Sequence, residues 1–197
     1  MAIDSTGLET RHISHYYGKR CGRRMKHFPK LSVVCDTESH LFLSVVIDKG
    51  PIWDLKEFRR ALLEAHQLQP FGHVVADAGY DAEYVHGFIR LRLGAGTTIP
   101  PRRGRRPKDL PAGEFRRQMA TDFDKALYAQ RWQIESAFSQ CKRRLGSALS
   151  ARNQWAQRRE IELKILTHNL MIIRRHRSFQ QSRFVLRKPR FDSRFGT

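Results

Sequence analysis

The stretch from Tyr128 to Gly146 constrains the fold most. With about 100° of rotation per residue, Leu127, Ile134, Phe138, Cys141 and Leu145 fall on one apolar stripe of a helix. Tyr128, Arg131, Glu135, Ser139 and Lys142 fall on the neighbouring stripe. Such a helix must pack by the first face, and it then presents one carboxylate among cations and hydroxyls. Taken alone, that arrangement is equally a surface ion pair.

Composition narrows the setting. The chain has 197 residues, the size of one domain with a tail, and 40% of them are hydrophobic, enough for a core. Lys and Arg number 37 against 19 acids, a net charge of +18. A surplus of that size on a globular chain points to a polyanion, most simply nucleic acid. A ribosome-like or generally adhesive basic protein would show the same surplus. No apolar run approaches the ~18 residues of a membrane span, and the N-terminus lacks the charged-then-apolar form of a signal peptide. Cys21, Cys35 and Cys141 are far apart and read as reduced intracellular thiols, neither a zinc site nor a disulfide framework.

Along the chain, Met1 to Ile3 reads as a short strand delivering Asp4, followed by Ser5 and Thr6. The same tripeptide is common at helix N-caps. Arg11 to Lys30 is basic, rich in Gly and His, and reads as a loop. Leu31 to Asp36 and Leu41 to Ile47 read as a hairpin, its second strand covered on both faces. A helix from Asp54 should bury Leu55, Phe58, Leu62 and Leu63. Phe71 to Ala76 then forms a strand with Asp77 at its C-terminal end, where ligands of open α/β sheets bind, and Gly79 allows a tight turn. Asp81 reads as the N-cap of a helix from Ala82 to Leu93 that buries Tyr84, Val85, Phe88, Ile89 and Leu91 or Leu93. Thr97 to Pro100 reads as a last strand. Arg102, Arg103, Arg105, Arg106 and Lys108 crowd the Gly- and Pro-containing stretch behind it, either a solvated loop or an arm along phosphates. Thr121 to Asp124 reads as a capping box. Glu160 to Arg175 is apolar around much of its girth and should be a well-buried helix, with His168 an ordinary core or surface histidine. Residues 1–177 are thus expected to form one domain and residues 178–197 a basic disordered tail.

Tyr128, two residues, Arg131, three residues, Glu135, six residues, Lys142 resembles the signature of the DDE transposases of bacterial insertion sequences. Ile134-Glu135-Ser136 and Phe138-Ser139 add to the likeness. Asp4-Ser5-Thr6 and Ala76-Asp77-Ala78-Gly79-Tyr80-Asp81 resemble that family's other two motifs, in the required order. The resemblance covers about Ala2 to Arg175. It implies an α/β fold, a ribonuclease-H-like mixed sheet flanked by helices. It also implies that Asp4, Asp77 and Glu135 are the catalytic, metal-binding carboxylates, and that Mg²⁺, with Mn²⁺ as a substitute, is the cofactor. Tyr128, Arg131 and Lys142 match the family's DNA-contacting positions. The implied partners are the DNA of the element ends and target, a homodimer in the DNA complex, and no membrane.

The implied chemistry is DNA cleavage by water and strand transfer by a DNA 3′-hydroxyl. Two ions about 3.5–4 Å apart can activate the attacking oxygen and steady the leaving one, and such hard cations take carboxylate oxygens. Two other readings compete: a non-catalytic basic nucleic-acid-binding protein, and a ribonuclease-H-like nuclease without strand transfer. Members of the family usually carry a repeat-binding region ahead of the first Asp. Only three residues precede Asp4 here, so the first strand is expected to be short and frayed and catalysis weak.

Overall fold

The computed structural model describes residues 1–10, 28–50, 53–102 and 110–185, with side chains as far as residue 176. Five strands form one sheet: β1 (Ala2–Gly7), β3 (Phe28–Cys35), β4 (Phe42–Gly50), β5 (His73–Ala76) and β6 (Gly96–Thr98), in the order β4-β3-β1-β5-β6. The β1, β3 and β4 ribbon is antiparallel, while β5 and β6 run parallel to β1. A small parallel pair joins β2 (Glu9–Thr10) to β7 (Ala148–Leu149). The helices are α1 (Phe58–Leu68), α2 (Glu83–Gly87), α3 (Glu114–Thr121), α4 (Lys125–Tyr128), α5 (Trp132–Leu145) and α6 (Gln154–Val185).

The sheet separates two cores because side chains alternate along each strand. Ile3, Val34, Val74 and Ala76 face α1, α2 and the π-helical turn that follows it (Phe88–Arg92), where Phe58, Leu62, Val85 and Ile89 are buried. Ala2, Val33, Cys35 and Val75 face the other way, onto Ile134, Ala137 and Cys141 of α5 and Ile161 of α6. This is the mixed sheet flanked by helices expected of a ribonuclease-H-like fold. The β4 strand divides its apolar side chains between both cores, as its unbroken hydrophobic run requires.

Several local expectations fail, each for a tertiary reason. Far from ending at Asp4, β1 continues to Gly7 because its antiparallel pairing with β3 persists to Gly7 opposite Lys30. Its start is held as well: the Met1 amine donates to the His73 carbonyl at 3.0 Å, and Val75 N–H donates to the Met1 carbonyl at 2.9 Å. Asp81 is no helix cap, since Ala82 occupies that position and the Asp81 carboxylate is turned to other donors. Asp124, not Thr121, caps the approach to α5, accepting from Leu127 N–H at 2.8 Å, while Thr121 ends the unanticipated α3. Leu63, Tyr84 and Leu91 are exposed.

Helix α6 departs furthest. It begins before Glu160 and its backbone runs to Val185, into the expected disordered tail; the remainder of that tail lies outside the described residues, as does the basic loop from Arg11 through His27. Ile161, His168 and Ile172 are buried, but Leu163, Leu166, Leu170 and Ile173 are exposed. Polar bonds help dock it on the edge strand. Asn169 accepts from Phe42 N–H at 3.0 Å and donates to the Phe42 carbonyl at 2.8 Å, replacing a strand neighbour.

Candidate active site

Register brings the two aspartates together. Ala2 pairs with Val75 and Ile3 with Ala76, so the next positions on these parallel neighbours are Asp4 and Asp77. Asp77 leaves β5 into a one-turn 3₁₀ helix (Ala78–Tyr80) and accepts from Gly79 N–H at 2.8 Å. A Cβ on Gly79 would sit 2.8 Å from that carboxylate oxygen, so the turn needs glycine. Asp4 Oδ1 accepts from Ser5 N–H at 2.7 Å.

Glu135 reaches the same side of the sheet on α5. Of the stripe read from the sequence, Ile134 and Cys141 are buried and Leu127, Phe138 and Leu145 partly buried, with Ala137 buried beside them. His40, in the β3–β4 turn at φ 64°, locks it further. One ring nitrogen meets Gln133 Oε1 at 2.7 Å and the other meets Gln140 Nε2 at 3.3 Å. Arg131 spans the carboxylates: Nη2 lies 2.5 Å from Glu135 Oε1, and Nη1 lies 3.6 Å from Asp4 Oδ2. Its guanidinium is 5.9 Å from the centre of the Tyr128 ring, and that ring packs on Phe123. Lys142 donates to Thr6 Oγ1 at 2.7 Å, beyond Asp4 on β1. Arg131 thus links Asp4 with Glu135 and Tyr128, Asp77 neighbours Asp4, and Lys142 reaches β1 farther along.

Arg102 lies elsewhere, its amide bound to Asp81 at 2.7 Å, and Arg103, Arg105 and Arg106 lie outside the described residues. A cleft of about 310 Å³ opens beside Glu135, lined by Trp132, Ser136, Ser139, Gln140 and Arg143. A larger one, between β4 and the start of α6, touches none of the three carboxylates.

Electrostatics mark Asp4. Burial, then the neighbouring charge of Asp77, raises its pKa to about 6 against the pull of Ser5 N–H and Arg131. Two adjacent carboxylates with few donors suit a hard divalent cation. Among the described residues no group of three or more His, Cys, Asp or Glu is close enough to hold one ion. Asp4 and Asp77, at neighbouring strand positions, have the donor chemistry a hard cation takes, while Glu135 is held by Arg131.

Sequence reasoning missed the residues behind this site. Asp54 begins a one-turn 3₁₀ helix (Asp54–Lys56), accepts from the Ser5 hydroxyl and lies 2.6 Å from Lys30 Nζ. Tyr80 is 1% exposed, its hydroxyl raised well above its ordinary pKa by burial and by the charges of Asp54, Asp4 and Asp77. Asp81 is fully buried by side chain and takes a fork from Arg116, Nε at 2.9 Å and Nη2 at 2.8 Å. Tyr80 and Asp81 stood in the quoted motif; Asp54 had no local signal, because its partner is distant in sequence.

A sequence description of the Transposase DDE domain matches residues 1–170. The chain belongs to the transposase DDE domain family. Among curated proteins none matches it significantly. Membership makes this a transposase domain of the polynucleotidyl-transferase type with a ribonuclease-H-like fold and DNA as its class of substrate, from a family that normally uses divalent metal ions. No helix among the described residues is long and apolar enough to cross a membrane.

Proposed function

We propose that the chain cleaves DNA at insertion-sequence ends and joins the freed 3′ end to target DNA, with Asp4, Asp77 and Glu135 as its metal-binding carboxylates. The observation that carries this is Arg131, which touches both Asp4 and Glu135 while Asp77 neighbours Asp4 across the strands. Bound Mg²⁺, or Mn²⁺ in its place, supplies the charge that activates the attacking oxygen and steadies the leaving one.

The chain's own groups do the rest. Arg131 neutralises Glu135 in the free protein; when a phosphate enters, its planar fork can transfer to two phosphate oxygens and release Glu135 toward the aspartates. Tyr128 carries that guanidinium on its ring. Lys142 adds a point charge past the end of the carboxylate row. Arg102, Arg103, Arg105 and Arg106 are the further cations this reading assigns to DNA phosphates. Pairing two element ends calls for two copies in the DNA complex.

The test is nicking of supercoiled plasmid and joining of a labelled 3′-hydroxyl oligonucleotide, each with Mg²⁺ or Mn²⁺. Asp77→Ala and Glu135→Gln are expected to lower both by about 10³-fold or more with DNA binding retained. Nicking without joining would make the chain a nuclease. Binding with neither reaction, in the parent as in the variants, would leave only a basic DNA-binding protein.

A further inference from the structure

Behind the carboxylate pair, on the opposite face of the sheet, lies a polar cluster the chemistry above does not use. Side chains alternate along β1, so Asp4 faces α5 and Ser5 faces the other way. The Ser5 hydroxyl donates to Asp54 Oδ1, and Lys30 Nζ lies 2.6 Å from that same oxygen. Ser5 also gives its backbone N–H to Asp4 Oδ1 at 2.7 Å. One residue thus holds Asp4 by its amide and Asp54 by its hydroxyl. The one-turn helices opened by Asp54 and by Ala78 pack on each other. Tyr80, from the second, is buried in this cluster, beside Ser5.

The position explains the need. Pairing of β1 with β5 ends at Ile3 opposite Ala76. From Asp4 onward β1 has a ladder neighbour on one side only, and the residue after Ile3 is the one that must be held still. The bond between Ser5 and Asp54 supplies a lateral restraint where the ladder stops.

We propose that Asp54 is a positioning residue for the cation site, fixing the Asp4 carboxylate through Ser5 and seating the Asp77 turn through the packed one-turn helices. This rests on the reading of Asp4 and Asp77 as cation ligands. Groups behind metal ligands typically set affinity by 10–100-fold, and a site needs its ligands held by a supporting layer.

The test is calorimetric titration of the full chain with Mn²⁺, below the melting temperature of every variant. Asp54→Asn and Ser5→Ala should each raise the Mn²⁺ Kd about 10-fold, while Ser5→Thr, which keeps the hydroxyl, stays within about twofold of the parent. The Mg²⁺ concentration for half-maximal nicking should shift by the same factor, and metal-free DNA affinity should not move. A merely structural role would lower the melting temperature and leave the Kd unchanged, which overturns the proposal, as does a Ser5→Thr variant no better than Ser5→Ala. If Asp54→Asn does not fold, Ser5→Ala carries the same test with one atom removed. Asp77→Ala separates the two readings. If it abolishes Mn²⁺ binding and Asp54→Asn changes nothing, the positioning role alone is wrong; if it too leaves binding intact, the cation site itself is wrong.

Discussion

Asp4 and Asp81 are both largely buried and both face an arginine, yet their carboxyls are pushed in opposite directions. Burial raises the pKa of Asp4 to about 6, and Asp77 and Asp54 add like charge. Against these stand one backbone N–H and a guanidinium 3.6 Å away. Burial acts on Asp81 in the same sense, but the His86 ring, the Arg116 fork and the Arg102 amide outweigh it and hold the carboxyl well below its ordinary range. The difference lies in the donors supplied, not in burial. Asp81 is a finished clamp that ties the start of the arginine stretch and α3 to the turn after Asp77. Asp4 is left short of partners, as the proposed role of a cation ligand would have it.

The largest effect should come from breaking the clamp. Asp81→Ala orphans the Arg102 amide and strips Arg116 of its partner. It should cost about 2–3 kcal/mol, less than a wholly buried pair because Arg116 is partly exposed. Urea unfolding at neutral pH measures it, and a loss below about 0.5 kcal/mol would make the clamp ornamental. The pH dependence follows. The folded pKa is depressed, so the stabilisation is present above the ordinary ~3.9 and is lost as pH falls below it.

The second effect has the opposite sign. The folded pKa of Asp4 is raised, so the native state binds its proton more tightly than the unfolded chain does between pH ~3.9 and about 6. Ionising Asp4 therefore costs stability as pH rises through that window, and the cost is complete above it. Asp4→Asn should raise metal-free stability at pH 7.5 by about 1–2 kcal/mol, allowing for solvent screening, and by nothing near pH 3.5, while abolishing cleavage. Urea midpoints at both pH values test this. A destabilised Asp4→Asn at pH 7.5 would mean that Arg131 is worth more to Asp4 than burial and Asp77 cost it.

This contrast was only half legible in the sequence. Asp4, Asp77 and Glu135 were singled out because their short motifs resemble those of a known family, and that comparison needed no tertiary knowledge. The same local logic made Asp81 a helix cap, because an Asp before Ala and Glu is a good cap until an arginine from a distant helix claims it. Asp54 was passed over for that reason too: Ser5 and Lys30 come to it from other strands. Helix α6 shows the converse limit. Its leucines and isoleucines announce a helix, but which of them are covered depends on how Asn169 and His168 dock it on the β3–β4 hairpin, and periodicity carries no such information.

The smallest effect sharpens the comparison most. If Asp4 is under-partnered because it awaits a cation, then supplying one should return the stability that its ionisation costs, and the clamp should be indifferent. A ligand that binds only the folded state stabilises by RT ln(1 + [L]/Kd), about 1.4 kcal/mol at ten times Kd. Mg²⁺ at that excess should raise the melting temperature of the parent at pH 7.5 by a few degrees. Asp81→Ala, although starting lower, should gain the same increment, because its lesion lies outside the carboxylate pair. Asp4→Asn, already relieved of the charge and short of a ligand, should gain almost nothing. Differential scanning calorimetry of the three chains with and without Mg²⁺ reads this directly. An equal gain in all three would show that Mg²⁺ acts on the general surface, and that the missing donors around Asp4 are a packing cost with no cation behind it.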